Sequence, residues 1–378
     1  MDWKKHAERL AAETVHPSSR WAASLAATPR HVFVPRWWTR GAEGWELHDG
    51  PSDEREWREA AYSNRTLVTR VGPHHADDAQ PGTVPEGLPT SSSTLPSLVI
   101  DMYRHAVLTD ECDVLVTTGT GYGTALACRR LGDKHVTSID VDPALVELAG
   151  HRLESIGLNP QTAVCDITDP LPGTYDRIVA TVSVRPIPVS WLAALRPGGR
   201  LVTTIAHTGL IVTADKTEDG GAFGRIELDM AGFMATRHGA DYEPTGTGEV
   251  YEQAKRAEGE DVSRGRYPVL YVPDAWDVWS MLELAVPGID HRKMDHDDGE
   301  TRTVWLLHPD GSWARAEGRR TDPPTVHQSG PRRLWEELER IRHRLNTEGS
   351  LPVYGAMVRI YPDGTTRLKR GDWTATIN

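Results

Sequence analysis

The 378-residue chain is poor in cysteine, phenylalanine and positive charge, and each shortage excludes something. Three cysteines (Cys112, Cys128, Cys165) cannot build a disulfide framework, and none sits in a CxxC pair of the kind that binds zinc. A reducing cytoplasm is the expected compartment. No stretch approaches the roughly 20 apolar residues that span a bilayer. The first residues include Asp2, Lys4, Lys5, His6 and Glu8, so no signal peptide is expected. A net charge of -12 argues against a dedicated nucleic-acid binder, which needs a basic surface to neutralise phosphates. What the chain does have is 13 Trp against 3 Phe. Such residues either line a peptide-binding face or pack a core, and packing is the default. With 38% hydrophobic positions the chain can bury a sizeable core, and its length suits two domains or one large domain with an appendage.

Apolar spacing organises the rest. Trp3, Ala7, Leu10 and Ala11 predict a helix, and a second helical run follows from Ser18 to Leu25. Arg30–Val34, bracketed by Pro29 and Pro35, reads as extended. Residues 72–97 are rich in Pro, Gly, Ser and Thr without a hydrophobic period, which predicts a long loop. Strands are then expected at Val114–Val116, Val136–Asp140, Thr162–Cys165, Arg177–Thr181 and Arg200–Ile205. Helices fall between them, one of them opened by Asp142-Pro143, and Arg196-Pro197-Gly198-Gly199 reads as a turn. This alternation means βαβ units and a mostly parallel sheet. Beyond Ala206 hairpins are expected at 210–228, 305–314 and 358–364, a linker or lid at 241–266, and a charged helix at Leu334–Leu345.

The first predicted strand ends in Gly119-Thr120-Gly121-Tyr122-Gly123 and a helix follows, so backbone N–H groups and a helix start face any ligand there. A glycine trio alone equally serves a bare turn. Asp140 adds weight: it is an acid ending the second strand about 20 residues on, placed for a ribose diol. Asp166, after the third strand, is either an adenine contact or a strand-end turn residue. The spacing is not that of the dinucleotide fingerprint, and no GKS/T follows for a triphosphate.

Together, Gly119-Thr120-Gly121, Asp140, Asp166 and Leu195–Leu201 (LRPGGRL) resemble class I S-adenosylmethionine-dependent methyltransferases. Thr28–Pro35 (TPRHVFVP), Ala61-Tyr62, the Ser/Thr turn ending in Pro96, Asp176–Thr181 and Ile187-Pro188 resemble the protein-L-isoaspartate O-methyltransferases over roughly residues 5–215. Ser329–Glu339, with Gly355 and Val358–Gly364, is similar to the tail of a peptide-modifying subgroup associated with graspetide and lanthipeptide biosynthesis. The chain departs from the family at Thr117, where an acid is usual before the glycine loop, and in a longer stretch between Tyr62 and the Ser/Thr turn.

The resemblance implies an α/β fold: a Rossmann-like doubly wound sheet with an N-terminal helical segment and an extra C-terminal α+β module. Expected limits are 1–96 for a substrate-facing segment, 97–240 for the methyltransferase domain and 241–378 for the module. The implied cofactor is S-adenosylmethionine, held by Gly119, Thr120, Gly121, Tyr122, Asp140, Val141, Asp166 and Ile167. The family register places Thr94, with Ser92 and Ser93, as the hydroxyls that orient a substrate carboxylate; composition alone makes them a solvated loop. The implied activity is carboxyl O-methylation of an aspartate in a cyclised ribosomal peptide, giving aspartimide or isoaspartate. General isoaspartate repair is the nearest alternative, and a non-catalytic cofactor- or peptide-binding module the alternative of another class. No nucleic-acid or membrane partner is expected. Ser92 lacks the GxSxG elbow of a hydrolase. His74, His75, Asp77 and Asp78, like His291 and Asp295–Asp298, read as solvated loops rather than metal ligands.

Overall fold

The computed structural model describes residues 2–238 and 241–377. Val114–Thr117, Val136–Asp140, Gln161–Val164, Tyr175–Val184 and Leu195–Ile205 pair in parallel. The strand Val114–Thr117 lies between Val136–Asp140 and Tyr175–Val184, so strand order reverses beside it. In open α/β sheets such a switch point opens a crevice at the carboxyl ends of the strands. Alternate residues serve opposite faces. Leu115, Ile178 and Leu201 enter one core, whereas Val114, Val116, Val179 and Val202 enter the other. The helix Pro143–Ser155 starts as expected, with the Asp142 carboxylate accepting the Ala144 N–H at 3.0 Å and proline at the first position.

Beyond the parallel strands the sheet turns antiparallel through Leu210–Lys216 and Ala222–Met230. It then takes in Met357–Ile360, Thr366–Arg370 and Trp373–Ile377, making ten strands. The expected separate module from residue 241 therefore gives its last strands to the main sheet. Pairing of Ala222–Arg225 with Met357–Ile360 covers an edge that would otherwise lie open. Residues between form a five-stranded antiparallel sheet (Asp261–Arg264, Asp290–Asp295, Thr301–Leu307, Trp313–Arg319, Thr325–Ser329). Against it pack Trp276–Ala285 and Leu334–Glu348, whose Leu282, Trp335 and Leu338 share one core with main-sheet residues.

Four local expectations are corrected. Arg30–Phe33 is one helical turn rather than extended, because that turn turns Arg30 and Phe33 to the same buried side. Residues 72–97 are not one loop: Pro89–Ser93 is a strand paired with Leu67–Val71. Its residues are small and hydroxylated, so no apolar alternation marked it. The stretch 241–266 contains the helix Gly248–Ala254 and the strand Asp261–Arg264 rather than a bare linker. The Arg196–Gly199 turn is a bulge inside the strand Leu195–Ile205, with the register shifting between Leu195 and Arg200 and Gly198 at φ 71°.

Candidate active site

A cleft of about 500 Å³ opens where the strand ends diverge. Its walls include Gly119, Asp140, Val141, Asp166 and Ile167 on one side and Ser92 and Thr94 on another. Glycine loop, both acids and two of the three candidate hydroxyls thus meet in one cavity. Ser93 borders an adjoining smaller recess instead. It is buried, and its hydroxyl accepts the Arg30 Nε–H at 3.3 Å. Thr120 and Tyr122 are also buried and border the same recess of about 40 Å³, which shares Ser92, Thr94 and Gly119 with the main cleft.

Local forces shape the glycine loop. Gly119 at φ 50° and Gly121 at φ 90° adopt the left-handed conformation that glycine tolerates best. A Cβ on Gly121 would lie 3.1 Å from Ala149 and 3.3 Å from Phe33, so the FVP segment packs directly on the loop. Below, Thr118 and Thr124 hydroxyls both meet the buried Ser138 hydroxyl, at 2.7 and 2.8 Å. Asp140 completes the loop. Its Oδ2 accepts the Gly119 N–H at 3.0 Å and its Oδ1 the Asp142 N–H at 3.1 Å. Burial raises its pKa more than these backbone donors lower it. Each oxygen keeps acceptor capacity for a diol.

Asp166 behaves differently. Burial pushes its carboxyl up, but Thr168 donates to Oδ1 from its backbone and hydroxyl (2.8 and 2.7 Å) and His238 meets Oδ2 at 2.7 Å. The net effect holds it below the usual range. The overlying segment 231–237 lines the cleft and pairs with the end of Tyr175–Val184: Met234 O accepts the Ser183 N–H at 2.8 Å, and Ser183 O the Thr236 N–H at 2.9 Å.

Further residues shape the site. Thr117 stands in the place of the family's acid and bonds the Thr181 hydroxyl at 2.6 Å, so a neutral pair lines the cleft there. Arg30 is fully buried and donates to the carbonyls of Ala61, Ser63, Arg65, Ser93 and Thr94. The TPRHVFVP motif flagged the residue but not its direction. Trp276, from beyond residue 241, also faces the cleft. Among the described residues no group of three or more His, Cys, Asp or Glu is placed to hold a metal ion. Nor, among them, is any helix long and apolar enough to cross a membrane.

The cavity suits an adenosyl cofactor with a polar amino-acid end. Asp140 and Asp166 stand at successive strand ends, and the Tyr122 hydroxyl is buried at the small recess without a hydrogen-bond partner among the described residues. A buried orphan hydroxyl is costly unless something satisfies it.

Comparison with known proteins agrees. Residues 73–232 match the family model for protein-L-isoaspartate(D-aspartate) O-methyltransferase. A protein-L-isoaspartate O-methyltransferase of Pyrococcus horikoshii is 29% identical over 226 residues, 58% of this chain and 85% of the relative. That of Ignicoccus hospitalis is 31% identical over 189 residues, 49% of this chain and 72% of the relative. A solved protein-L-isoaspartate O-methyltransferase aligns over 98% of this chain and 99% of its own, with a TM-score of 0.51 and 17% identity, which establishes the fold. The architecture is that of the class I S-adenosylmethionine-dependent methyltransferases, whose cofactor is S-adenosylmethionine. The chain belongs to the protein-L-isoaspartate O-methyltransferase family.

Proposed function

We propose that the protein methylates the side-chain carboxylate of an aspartyl residue in a peptide, at the expense of S-adenosylmethionine. One observation carries this reading: the Thr94 and Ser92 hydroxyls share a cleft with the glycine loop, Asp140 and Asp166. When bound, the cofactor supplies an electrophilic methyl carbon on a sulfonium. Asp140 holds the ribose diol beside Val141. Asp166 and Ile167 border the adenine, and Gly119 to Tyr122 form the floor. Thr94, with Ser92, donates hydroxyl hydrogens to the substrate carboxylate. Ser93 acts indirectly, as part of the strand that Arg30 holds.

The chain needs no strong base for this work, because an aspartate of ordinary pKa (about 3.9) is already ionised at neutral pH. Its task is to align one carboxylate oxygen and to exclude water. Neutral hydroxyls orient an anion without quenching it as a lysine would. The resulting methyl ester invites attack by the next backbone nitrogen, which expels methanol and leaves an aspartimide.

The favoured substrate is an aspartate in a cyclised ribosomal peptide of the graspetide type. Support comes from the resemblance of Ser329–Glu339, Gly355 and Val358–Gly364 to the tails of such enzymes and from Trp276, which brings the C-terminal residues to the cleft. Repair of isoaspartate in damaged proteins is the second reading, favoured by the names of the curated relatives. Transfer of labelled methyl groups to a linear isoaspartyl peptide, a linear aspartyl peptide and a cyclised aspartyl peptide separates them. Preference for the cyclised peptide is expected. Efficient turnover of the linear isoaspartyl peptide selects repair, and no transfer to any peptide rejects both.

A further inference from the structure

The helix Trp276–Ala285 is fixed to the strand ends that frame the cleft. The Gly209 N–H donates to the Ser280 hydroxyl at 3.0 Å, which in turn donates to the Trp276 carbonyl at 2.7 Å. Farther along, buried Glu283 pairs with Arg185 at 3.1 Å and accepts the Gly288 N–H at 3.0 Å. The helix is therefore no loose appendage, and its first residue occupies a defined position.

That residue has space cleared for it. A Cβ on Gly209 would come within 2.6 Å of the Trp276 ring, and one on Gly232 within 3.0 Å. Neither glycine has positive φ, so the demand at both positions is steric rather than conformational. Trp279 meets the same indole edge-on at 6.2 Å. Two glycines and an aromatic prop thus seat an indole whose remaining surface looks into the cleft. Core tryptophans of this chain behave otherwise: Trp37, Trp38, Trp191 and Trp313 are at most 1% exposed, whereas Trp276 is 37% exposed. Met230 and Phe233 line the same wall, giving an apolar shelf in the cavity that holds Thr94 and Ser92.

We infer that Trp276 is a specificity-determining residue: its exposed indole face receives an apolar side chain of the peptide flanking the acceptor aspartyl residue. The inference rests on the peptide-methylating reading, since continuity with that cleft is what identifies the occupant. An ordered, rigid aromatic face buries apolar area at low entropic cost, and each apolar group so buried favours one peptide over another.

The test is binding, which needs no methyl transfer. Two labelled cyclised peptides share one acceptor aspartyl residue, flanked by leucine in one and glycine in the other. Each is titrated by fluorescence polarisation into the full chain with S-adenosylhomocysteine present. Wild type is expected to bind the leucine peptide about tenfold or more tightly, the scale of a modest apolar contact. Trp276→Ala abolishes the difference by weakening the leucine peptide alone, and Trp276→Phe keeps most of it. Calorimetric affinity for S-adenosylhomocysteine, unchanged in both, reports an intact fold. Should Trp276→Ala lose that affinity, the same two-peptide comparison on Trp276→Gln decides. A wild type that prefers neither peptide or binds neither overturns the inference, as does equal weakening of both by the variant. Preferential binding without methyl transfer would instead sink the proposed reaction and leave this inference standing.

Discussion

Arg30 holds Thr94 by its backbone. Its Nη2 donates to the Thr94 carbonyl at 3.3 Å and to the Ser93 carbonyl at 3.1 Å, while Nη1 reaches the carbonyls of Ala61 and Ser63. Its acceptors are neutral oxygens, and the guanidinium also lies 5.4 Å from the centre of the Tyr122 ring. Burial lowers its pKa to about 10, which leaves it charged at neutral pH. The residue ties the FVP segment, the chain after Tyr62 and the hydroxyl strand into one frame.

Arg30→Lys is therefore expected to destabilise the fold despite keeping the charge, because an ammonium cannot fan out to carbonyls on two chain segments. Hydrogen bonds to charged groups contribute about 1.5–3 kcal/mol each, so loss of even part of the set costs about 3 kcal/mol. Urea denaturation measures it. A midpoint equal to that of wild type would remove Arg30 from this role.

Thr94→Ala should lower kcat about 10- to 100-fold through loss of one hydrogen bond to a carboxylate, while Thr94→Ser recovers most of the rate. Affinity for S-adenosylhomocysteine should not move. Stopped transfer assays and calorimetry on the same samples separate the two effects. Loss of cofactor binding with unchanged kcat would reverse the assignment.

Asp140→Ala is expected to weaken S-adenosylhomocysteine binding by about 1.5–3 kcal/mol, roughly 10- to 100-fold. A pH signature accompanies this. Burial raises the Asp140 pKa, and the ionised form is the stronger acceptor for a diol. Affinity should therefore fall as pH drops through that raised pKa, and Asp140→Asn should abolish the dependence. Calorimetry at successively lower pH from neutrality tests both.

The parallel sheet was legible because its strands are apolar runs buried on both faces, and because Asp142-Pro143 and the glycine loop punctuate them. Gly119, Asp140 and Asp166 were legible for the same reason: each follows a recognisable strand. The strand leading to Thr94 was not, since Thr90, Ser91 and Ser93 are buried in place of the apolar residues that signal a strand. Arg30's role was hidden because the short run between prolines reads as extended, while its carbonyl partners lie some 30 to 60 residues on. Trp276 could not be placed because its contacts, Gly209 and Gly232, lie on a different part of the chain. Nor did any period announce that residues 357–377 would complete the main sheet, since edge pairing is a choice of partner rather than of local conformation.

Glu283 offers a stability test of the helix that carries Trp276. Burial pushes its carboxyl up to about 7, against the backbone donor of Gly288 and the nearby Arg185. The folded state then holds a proton that the unfolded chain releases near pH 4.3, so stability is greatest below that value and is lost as pH rises through 7. The loss is on the order of 3–4 kcal/mol. Glu283→Gln should flatten this slope, as melting temperatures across the range will show. A wild-type curve that rises over the same window would mean that Glu283 folds ionised.

Tyr122 gives the sharpest test of where the cofactor's polar end sits. Its hydroxyl is buried with no partner among the described residues, yet it borders the recess shared by Ser92, Thr94 and Gly119. A structural tyrosine would lose stability on Tyr122→Phe only if the hydroxyl were bonded. Here the change removes a desolvated, unsatisfied group, so the free protein should melt no lower than wild type and could melt higher. If the hydroxyl meets the amino-acid end of the cofactor, affinity for S-adenosylhomocysteine should fall by about 1 kcal/mol, roughly fivefold. Affinity for adenosine, which lacks that end, should stay the same. The two effects have opposite signs on one side chain, and no packing defect produces both. A fall in melting temperature with unchanged affinity for S-adenosylhomocysteine would place the polar end elsewhere.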